Sequence, residues 1–358
     1  MIKLNRIFQI FKGKKVLITG HTGFKGSWLS IWLKELGADV IGYALTPHTH
    51  RDNFIITGLK EKITHIIGDI REFKNIMNVF KKYQPEFVFH LAAQPLVRES
   101  YANPKETCDI NIGGTVNVLE CCRLSDSVRV IINVTSDKCY ENMDWVWGYR
   151  ESDPLGGFDP YSSSKSCAEL VTAAYRRSFF NPSEFSVHKK SICSVRAGNV
   201  IGGGDWQKDR IVPDCIRALE VNKTIEIRNP NATRPWQHVL DPLAGYLLLA
   251  AKMWEAPEKI YGPWNFGPNY ESSISVGEFA DMVVKKWGTG NWAIGAGSKI
   301  VHESNFLNLD ISKAMSYLDW RPVWNIGKAV EKTVDWYQQY KQSDPYKICI
   351  KQIEEFSA

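Results

Sequence analysis

The sequence lacks several features that would place it in other classes of protein. No stretch approaches the roughly 18 uninterrupted apolar residues of a membrane span. No basic block stands out, and the formal net charge is only +5 over 358 residues. The eight cysteines show no CxxC spacing, and most have apolar neighbours, which is typical of reduced thiols. We therefore expect a soluble, cytoplasmic protein with no membrane partner, no nucleic-acid partner and no metal site.

The remaining composition is that of an ordinary globular protein, with 44% hydrophobic and 23% charged residues. The opening MIKLNRIFQIFKGKK is basic, but its apolar residues are interrupted and no small-residue cleavage site follows. We interpret this segment as the start of the fold and not as a signal peptide.

Short β-branched runs alternate with helical stretches over the first 200 residues, which predicts βαβ units around a parallel sheet. The predicted strands are 15–19, 39–43, 63–67, 87–91, 128–134 and 191–195, with helices at 27–36 and 71–83. After residue 199 the chain is rich in Gly, Pro, Trp and Asn, which indicates a smaller, loop-rich lobe. The apolar run 239–253 is predicted to be a helix that returns to the first lobe.

A glycine-rich turn joins the first predicted strand to the first helix. Gly20, Gly23 and Gly26 form a GxxGxxG pattern, in which glycines allow tight turning, close approach of a diphosphate and close helix packing. The helix N-terminus supplies N–H groups for the phosphates. The pattern predicts a dinucleotide site on a Rossmann-type, doubly wound α/β domain, and its spacing resembles that of the short-chain dehydrogenases/reductases.

The resemblance implies where the cofactor contacts lie. They fall in the glycine turn, in the turns after the third and fourth strands, and around the catalytic helix: Gly20, Thr22, Gly23, Phe24, Lys25, Gly26, Asp69, Ile70, Leu91, Ala92, Ala93, Asn111, Thr135, Tyr161 and Lys165. For Asp69, a role as a cap for the helix from Arg71 onward is compatible with adenine contact.

One expected feature of an NAD site is missing. The second strand is followed by Tyr43-Ala44-Leu45, with no acidic residue for the ribose hydroxyls. The residues soon after it that are suited to a 2′-phosphate are His48, His50 and Arg51. NAD in preference to NADP is therefore an expectation from the family resemblance alone.

Tyr161 and Lys165 form a YxxxK pattern on one face of a predicted helix. An ammonium beside a phenol stabilises the phenolate, which would let Tyr161 accept a proton from a sugar hydroxyl. By the resemblance, Lys165 also holds the nicotinamide ribose and Ser136 completes a Ser-Tyr-Lys set.

Asp137 and Lys138 follow Ser136 directly at the end of a predicted buried strand. Burying two ionisable groups there without a partner or a chemical role costs several kcal/mol, on the order of the desolvation penalty of an ion. A surface ion pair is one interpretation, and acid–base work beside the nicotinamide is the other. Oxidation of a hexose at carbon 4 acidifies the hydrogen at carbon 5, so an acid and a base at this place indicate loss of water.

Long motifs extend the resemblance over residues 14–330: TGHTGFKGSWL, VTSDKCYEN, YSSSKSCAEL, RAGNVIGGGDW and NPNATRPWQHVLDPLAGYL. They are similar to those of the nucleotide-sugar 4,6-dehydratases of the extended short-chain family. A lysine at the position of Lys138 is similar to what the enzymes that act on CDP-glucose have there. The resemblance implies a CDP-hexose substrate, retained NAD and a role in deoxysugar and O-antigen biosynthesis. The resemblance leaves open which of Asp137 and Lys138 is the base.

The residues predicted to bind the nucleotide sugar are Gln94, Asn199, Trp206, Arg210, Arg228, Arg234 and Tyr270. The arginines suit a diphosphate, while Trp206 and Trp236 offer flat faces. An ordinary packing role is the expectation for His238. We expect this substrate lobe to comprise 201–235 and 263–358, and the NAD-binding domain to comprise 1–200 with 236–262.

Two other functions stay open at this point. A 4-epimerase, or a dehydratase for dTDP-, UDP- or GDP-sugars, shares the fold and the first redox step. A scaffold with a vestigial site is the alternative from a different class. The helical segments 103–124 and 160–180 resemble the intersubunit helices of similar enzymes, so we expect a homodimer or homotetramer.

Overall fold

The computed structural model describes residues 7–295 and 307–358. The first six residues of the opening segment and residues 296–306 of the expected substrate lobe lie outside the described residues. No helix in the described ranges is long and apolar enough to cross a membrane.

The strands alternate with helices as the sequence pattern predicts. The strands are β1 (Lys15–Thr19), β2 (Asp39–Ala44), β3 (Thr64–Ile67), β4 (Phe87–His90), β5 (Val130–Val134), β6 (Ser191–Ala197), β7 (Val200–Ile201), β8 (Ile225–Ile227), β9 (Thr233–Pro235), β10 (Gln237–His238), β11 (Gly262–Phe266), β12 (Ser273–Ser275) and β13 (Trp292–Ile294).

The α-helices lie between these strands and after them. They are α1 (Phe24–Glu35), α2 (Asn53–Ile56), α3 (Phe73–Tyr83), α4 (Val97–Ala102), α5 (Pro104–Cys108), α6 (Thr115–Leu124), α7 (Pro160–Ser178), α8 (Phe185–His188), α9 (Ile211–Leu219), α10 (Leu240–Glu255), α11 (Val276–Trp287), α12 (Ser312–Leu318), α13 (Ile326–Gln339) and α14 (Pro345–Ser357). A π-helical turn, Asp109–Gly114, joins α5 to α6.

Seven strands form the central sheet in the order β11-β6-β5-β4-β1-β2-β3, and every neighbouring pair is parallel. The strand order reverses between β1 and β4, because the chain runs outward through β2 and β3 before β4 returns to the other side of β1. In doubly wound sheets ligands bind at the carboxyl ends of the strands beside such a reversal. The fold therefore places a site next to the residues that follow β1 and β4.

Alternating side chains of β1 enter two hydrophobic clusters on opposite faces of the sheet. Val16 and Ile18 pack with α1 and α10, whereas Leu17 packs with α3 and α6. Burial on both faces explains why the strands are nearly continuous apolar runs. The six predicted strands are confirmed, with ends that differ by one or two residues where they differ at all.

The sequence analysis missed the seventh strand, β11, which pairs with β6 at the edge of the sheet. Its sequence GPWNF begins with glycine and proline, which are turn signals in isolation. An edge strand tolerates Pro263 because one side of the strand makes no ladder bonds.

Contacts between the two predicted domains are more extensive than the predicted division implies. The predicted return of α10 is observed, since it packs on β5 and β6. However, β11 joins the central sheet and α14 packs on α1, although both begin within 262–358. All of 263–358 was assigned to the substrate lobe, and the division into two domains stays a prediction.

Candidate active site

A cavity of about 560 Å³ opens at the carboxyl ends of β1, β4, β5 and β6. The turns that follow these strands form one wall, and loops between β6 and β9 form the other. The five predicted catalytic residues all line this cavity: Ser136, Asp137, Lys138, Tyr161 and Lys165. The tertiary structure thus brings together residues that lie on two separate segments of the chain.

The glycine turn forms the floor of the cavity and leaves no room for side chains. Gly20 has a φ of +78°, and a Cβ there would lie 2.7 Å from the main-chain nitrogen of Ala92. A Cβ on Gly26 would overlap the carbonyl oxygen of Gly20. Gly23 is the N-cap of α1 and brings no side chain to the first N–H groups of that helix. This cradle fits the diphosphate of a dinucleotide.

Most of the other predicted cofactor contacts also line the cavity: Thr22, Phe24, Lys25, Asp69, Ile70, Leu91, Ala92, Ala93 and Thr135. The carboxylate of Asp69 accepts a hydrogen bond from the main-chain N–H of Arg71 at 2.8 Å and forms an ion pair with its guanidinium at 2.6 Å. Because of this pairing the pKa of Asp69 is lowered despite partial burial. Asp69 therefore caps the next segment while it faces the cavity.

Ser136 shapes the short 3₁₀ turn Asp137–Cys139 at the end of β5. Its hydroxyl accepts from the main-chain N–H of Lys138 at 3.2 Å and donates to the Asp137 carboxylate at 2.9 Å. Burial raises the pKa of Asp137, and the nearby cations Lys138 and Lys25 oppose this rise. The protonated form of Asp137 is thus favoured more than for a carboxyl group in water.

Tyr161 and Lys165 lie one turn apart in α7, with 8% and 6% of their surfaces exposed. The helix begins at Pro160 and is capped by Asp159, which accepts from the N–H of Ser162 at 2.9 Å. Lys165 Nζ lies 3.5 Å from the carbonyl oxygen of Val134, at the end of β5. The contact with Val134 places the start of α7 beside the end of β5, two residues before Ser136.

The electrostatics of this pair differ from the expectation that Lys165 lowers the pKa of Tyr161. Burial raises the pKa of Tyr161 to about 12, with the Ser136 hydroxyl acting in the opposite direction. Burial also lowers the pKa of Lys165 to about 8. Desolvation disfavours the charged form of each group and is the largest cause of both pKa shifts.

Lys25, on the first turn of α1, faces the same group of charges. Burial lowers its pKa to about 8, Arg210 and Lys165 add to the decrease, and Asp137 opposes it. The cavity therefore contains several cations close together, which favours anionic ligands.

Sequence reasoning missed a buried ion pair behind the catalytic turn. Glu169 and Arg196 are 3% and 2% exposed, and the guanidinium Nε and Nη2 donate to the carboxylate at 2.9 and 2.8 Å. Glu169 also accepts from the hydroxyls of Thr135 and Ser194. Two features of the sequence could have indicated this ion pair: a glutamate one turn after Lys165 on the helix, and an arginine inside a buried strand.

The predicted diphosphate ligands lie on the opposite wall of the cavity. Asn199, Arg210, Arg228 and Arg234 all line it, and so does Trp236. The Arg210 guanidinium forms an ion pair with Asp205 at 2.8 Å, and Arg228 forms one with Asp209 at 3.0 Å. The carboxylates Asp205 and Asp209, together with Arg98, are cavity residues that were not predicted as site residues from the sequence.

Two predicted aromatic substrate contacts, Trp206 and Tyr270, do not line the cavity in this structure. Trp206 is only 4% exposed, and the guanidinium of Arg51 stacks on its ring with Cζ 3.5 Å from the centroid. The same guanidinium donates to Glu220 and to the Tyr340 hydroxyl, at 2.5 and 2.6 Å. Arg51 is therefore occupied away from the cavity. Tyr270 is 73% exposed at the surface.

Two predicted polar contacts, Gln94 and Asn111, brace the turn after β4 and do not line the cavity. Asn111 Oδ1 accepts from the main-chain N–H of Gln94 at 2.8 Å, and its Nδ2 donates to Ser164 Oγ at 2.8 Å. The Gln94 amide donates to Thr107 Oγ1 at 2.9 Å. Both side chains are used in hydrogen bonds within the protein, and they position the turn after β4.

The three histidines named from the sequence, His48, His50 and His238, lie in different surroundings. His48 lines the cavity, whereas His50 does not. His238 is fully buried between the rings of Trp28 and Trp324, and burial lowers its pKa to about 3. This is the packing role expected for it.

The parallel sheet, the glycine turn and the Tyr161–Lys165 pair on one cavity define an enzyme of the short-chain dehydrogenase/reductase type. The chain belongs to the family described as GDP-mannose 4,6 dehydratase, which matches residues 17–333.

Curated relatives support this assignment, and solved structures share the fold. The chain is 48% identical over 344 residues to the CDP-glucose 4,6-dehydratase of Salmonella typhimurium, covering 96% of each chain. It is 25% identical to the human dTDP-D-glucose 4,6-dehydratase, covering 91% of this chain and 90% of the relative. The epimerase Mth375 of Methanothermobacter thermautotrophicus shares the fold, with a TM-score of 0.79 and 23% identity over 98% of each chain. The dTDP-glucose 4,6-dehydratase of Bacillus anthracis, solved in complex with NAD, has a TM-score of 0.75 and 19% identity, covering 94% of this chain and 100% of that chain.

Proposed function

We propose that the protein is an NAD-dependent lyase that converts CDP-D-glucose to CDP-4-dehydro-6-deoxy-D-glucose. The observation that carries the proposal is that Asp137 and Lys138 line the same cavity as Ser136, Tyr161 and Lys165. An epimerase needs no acid and base beyond the last three residues, whereas elimination of water needs both. The 48% identity to a CDP-glucose 4,6-dehydratase supports the choice of nucleotide.

The glycine turn, Asp69 and Lys165 would hold the dinucleotide. NAD would supply reversible hydride transfer at this place, between carbon 4 and carbon 6 of the hexose. The engagement of Arg51 with Glu220 and Trp206 supports NAD in preference to NADP, because this guanidinium is not presented to a 2′-phosphate.

Tyr161 accepts the proton of the carbon 4 hydroxyl, and Ser136 donates a hydrogen bond to the same oxygen. A base with a pKa near 12 is poorly ionised at neutral pH. Proton transfer from substrate to Tyr161 therefore requires that positive charge be nearby when the substrate is bound, and Lys165 is the lysine on the same helix face.

We assign the acid role in the elimination to Asp137 and the base role to Lys138. The raised pKa of the buried Asp137 favours the carboxylic acid form, which can protonate the departing carbon 6 hydroxyl. Lys138 is then the group of the pair that removes the proton from carbon 5, and it can accept that proton only as the neutral amine.

The proposal is tested by incubating purified protein with CDP-, dTDP-, UDP- and GDP-glucose, with and without added NAD⁺, and following product mass. Loss of one water from CDP-glucose, with little turnover of the others, is the expected result. An unchanged mass with inverted stereochemistry at carbon 4 would identify an epimerase. Dehydration of a different nucleotide sugar would refute the choice of CDP.

Replacing Lys138 tests the elimination step separately. Lys138→Ala should still exchange the carbon 4 hydrogen with the cofactor, seen as reduced cofactor absorbance, but should lose most water elimination. Lys138→Glu supplies a carboxylate base at the same place and should recover part of the elimination. Normal dehydration by the alanine variant would refute the role of Lys138.

We also propose that the protein acts in the cytoplasm, in deoxysugar supply for a surface polysaccharide, as a homodimer or homotetramer. Free thiols at all eight cysteines suit a reducing compartment. Leu124, Leu170 and Phe179 on or next to α6 and α7 expose about half of their apolar surface, which supports those helices as the subunit interface. Sedimentation velocity of the purified chain tests the assembly.

A further inference from the structure

Asp209 joins the two walls of the active-site cavity. Its carboxylate oxygen Oδ1 lies 3.0 Å from Nη1 of Arg228, at the end of β8, and 3.7 Å from Nη1 of Arg98, in α4. All three side chains are partly exposed and line the cavity. One carboxylate therefore lies between two guanidinium groups that belong to opposite walls of the cavity.

The arrangement leaves hydrogen-bonding capacity for a further anion. Arg98 Nε is buried and has no hydrogen-bond partner among residues 7–295 and 307–358. A guanidinium has five N–H donors, and one carboxylate cannot satisfy two guanidinium groups. A diphosphate presents more acceptor oxygens and more charge than a carboxylate, so it suits two arginines better.

Asp209 is also more easily displaced than its neighbour on the same loop. Asp205 holds Arg210 with a carboxylate that is only 5% exposed, whereas the Asp209 side chain is 44% exposed. Solvent can therefore replace its ion pairs at modest cost.

We propose that Asp209 occupies the place of a substrate phosphate between Arg98 and Arg228, and that the diphosphate of the nucleotide sugar displaces it. Arg98 is thereby assigned as a diphosphate-binding residue. The inference rests on the proposed function in so far as the ligand is a nucleoside diphosphate. Asp209 then favours ligands with a full diphosphate, because only these replace its interactions with both arginines.

The test measures the Kd of CDP, cytidine and inorganic pyrophosphate by calorimetry on the full chain. Asp209→Asn should bind CDP about three- to fivefold more tightly, because it removes competing, partly exposed ion pairs. Cytidine affinity should not change. Asp214→Asn is the matched control, since Asp214 also lines the cavity but pairs with Arg217 on its own helix. It should change the CDP affinity less than twofold.

A double-mutant cycle tests whether Asp209 affects CDP affinity through Arg98. Arg98→Gln should weaken CDP binding and leave cytidine binding unchanged, and the gain from Asp209→Asn should shrink in the Arg98→Gln background. Weaker CDP binding by Asp209→Asn, or a gain equal to that of Asp214→Asn, would overturn the proposal. If the unmodified protein prefers UDP, dTDP or GDP to CDP, the proposed substrate is wrong, and the displacement of Asp209 is then measured with the preferred nucleotide.

Discussion

The ion pair between Glu169 and Arg196 gives the most direct test of how the fold positions the catalytic groups. Both side chains are almost fully buried, and the carboxylate accepts from two guanidinium nitrogens and two hydroxyls. Glu169→Gln keeps the size of the side chain but leaves the buried guanidinium without a counter-charge. Removing one partner of a buried pair costs about 3 to 5 kcal/mol.

The loss should affect catalysis as well as stability. Glu169 holds the hydroxyl of Thr135, the residue before Ser136, and lies one turn after Lys165 on α7. A misplacement of about 1 Å between the strand end and the helix can cost on the order of 100-fold in rate. We therefore expect kcat to fall further than KM rises, because the diphosphate ligands lie on the other wall.

Urea unfolding and steady-state kinetics check this prediction together. Glu120→Gln is the matched control, because Glu120 pairs with Arg123 one turn along α6 with both side chains partly exposed. It should cost less than about 1 kcal/mol. Replacing both buried partners, as Glu169→Leu with Arg196→Met, should recover stability relative to Glu169→Gln. A loss below 1 kcal/mol in Glu169→Gln, or unchanged kcat, would refute the reasoning.

Three further predictions concern the glycine turn, the buried histidines and Lys25. Gly26→Ala should lose retained NAD and about 1 to 3 kcal/mol of stability through overpacking, measured as cofactor released on denaturation, whereas Gly113→Ala, with no atom within 4 Å of its added Cβ, should keep both. Burial lowers the pKa of three histidines to about 3: His21, His90 and His238. Each binds a proton in the unfolded chain below about pH 6.5 that it does not bind when folded. Burial raises the pKa of Asp241 to about 7, so this group binds one proton more when folded between its unfolded and folded pKa values. The unfolded chain therefore binds two more protons than the folded protein in this range. The free energy of unfolding should fall by about 2.7 kcal/mol for each pH unit as the pH is lowered from about 6 to about 4. Urea titrations in which stability rises as the pH is lowered over this range would contradict the prediction. Lys25, with a pKa of about 8, should be acetylated at pH 8 faster than exposed lysines and be protected by NAD⁺, as read by peptide mass mapping; labelling no faster than at exposed lysines would contradict this prediction.

The sequence alone was enough for six of the seven strands of the central sheet and for the five residues predicted to be catalytic, which line one cavity. The short β-branched, apolar runs of the sequence predicted six strands, because a strand that is buried on both faces is continuously apolar. The glycine turn was predictable because no side chain fits between Gly20 and Gly26. Ser136, Asp137, Tyr161 and Lys165 were predictable because they lie in long motifs at strand ends and helix starts.

Only the tertiary structure decided which polar side chains reach the cavity and which are used inside the protein. Arg51, Trp206, Gln94 and Asn111 each have partners elsewhere in the fold that no local pattern reveals. The same holds for Asp209, which meets an arginine from each wall of the cavity. Strand period and turn chemistry are local properties of the chain, whereas the partner of a charged side chain depends on contacts between residues far apart in sequence.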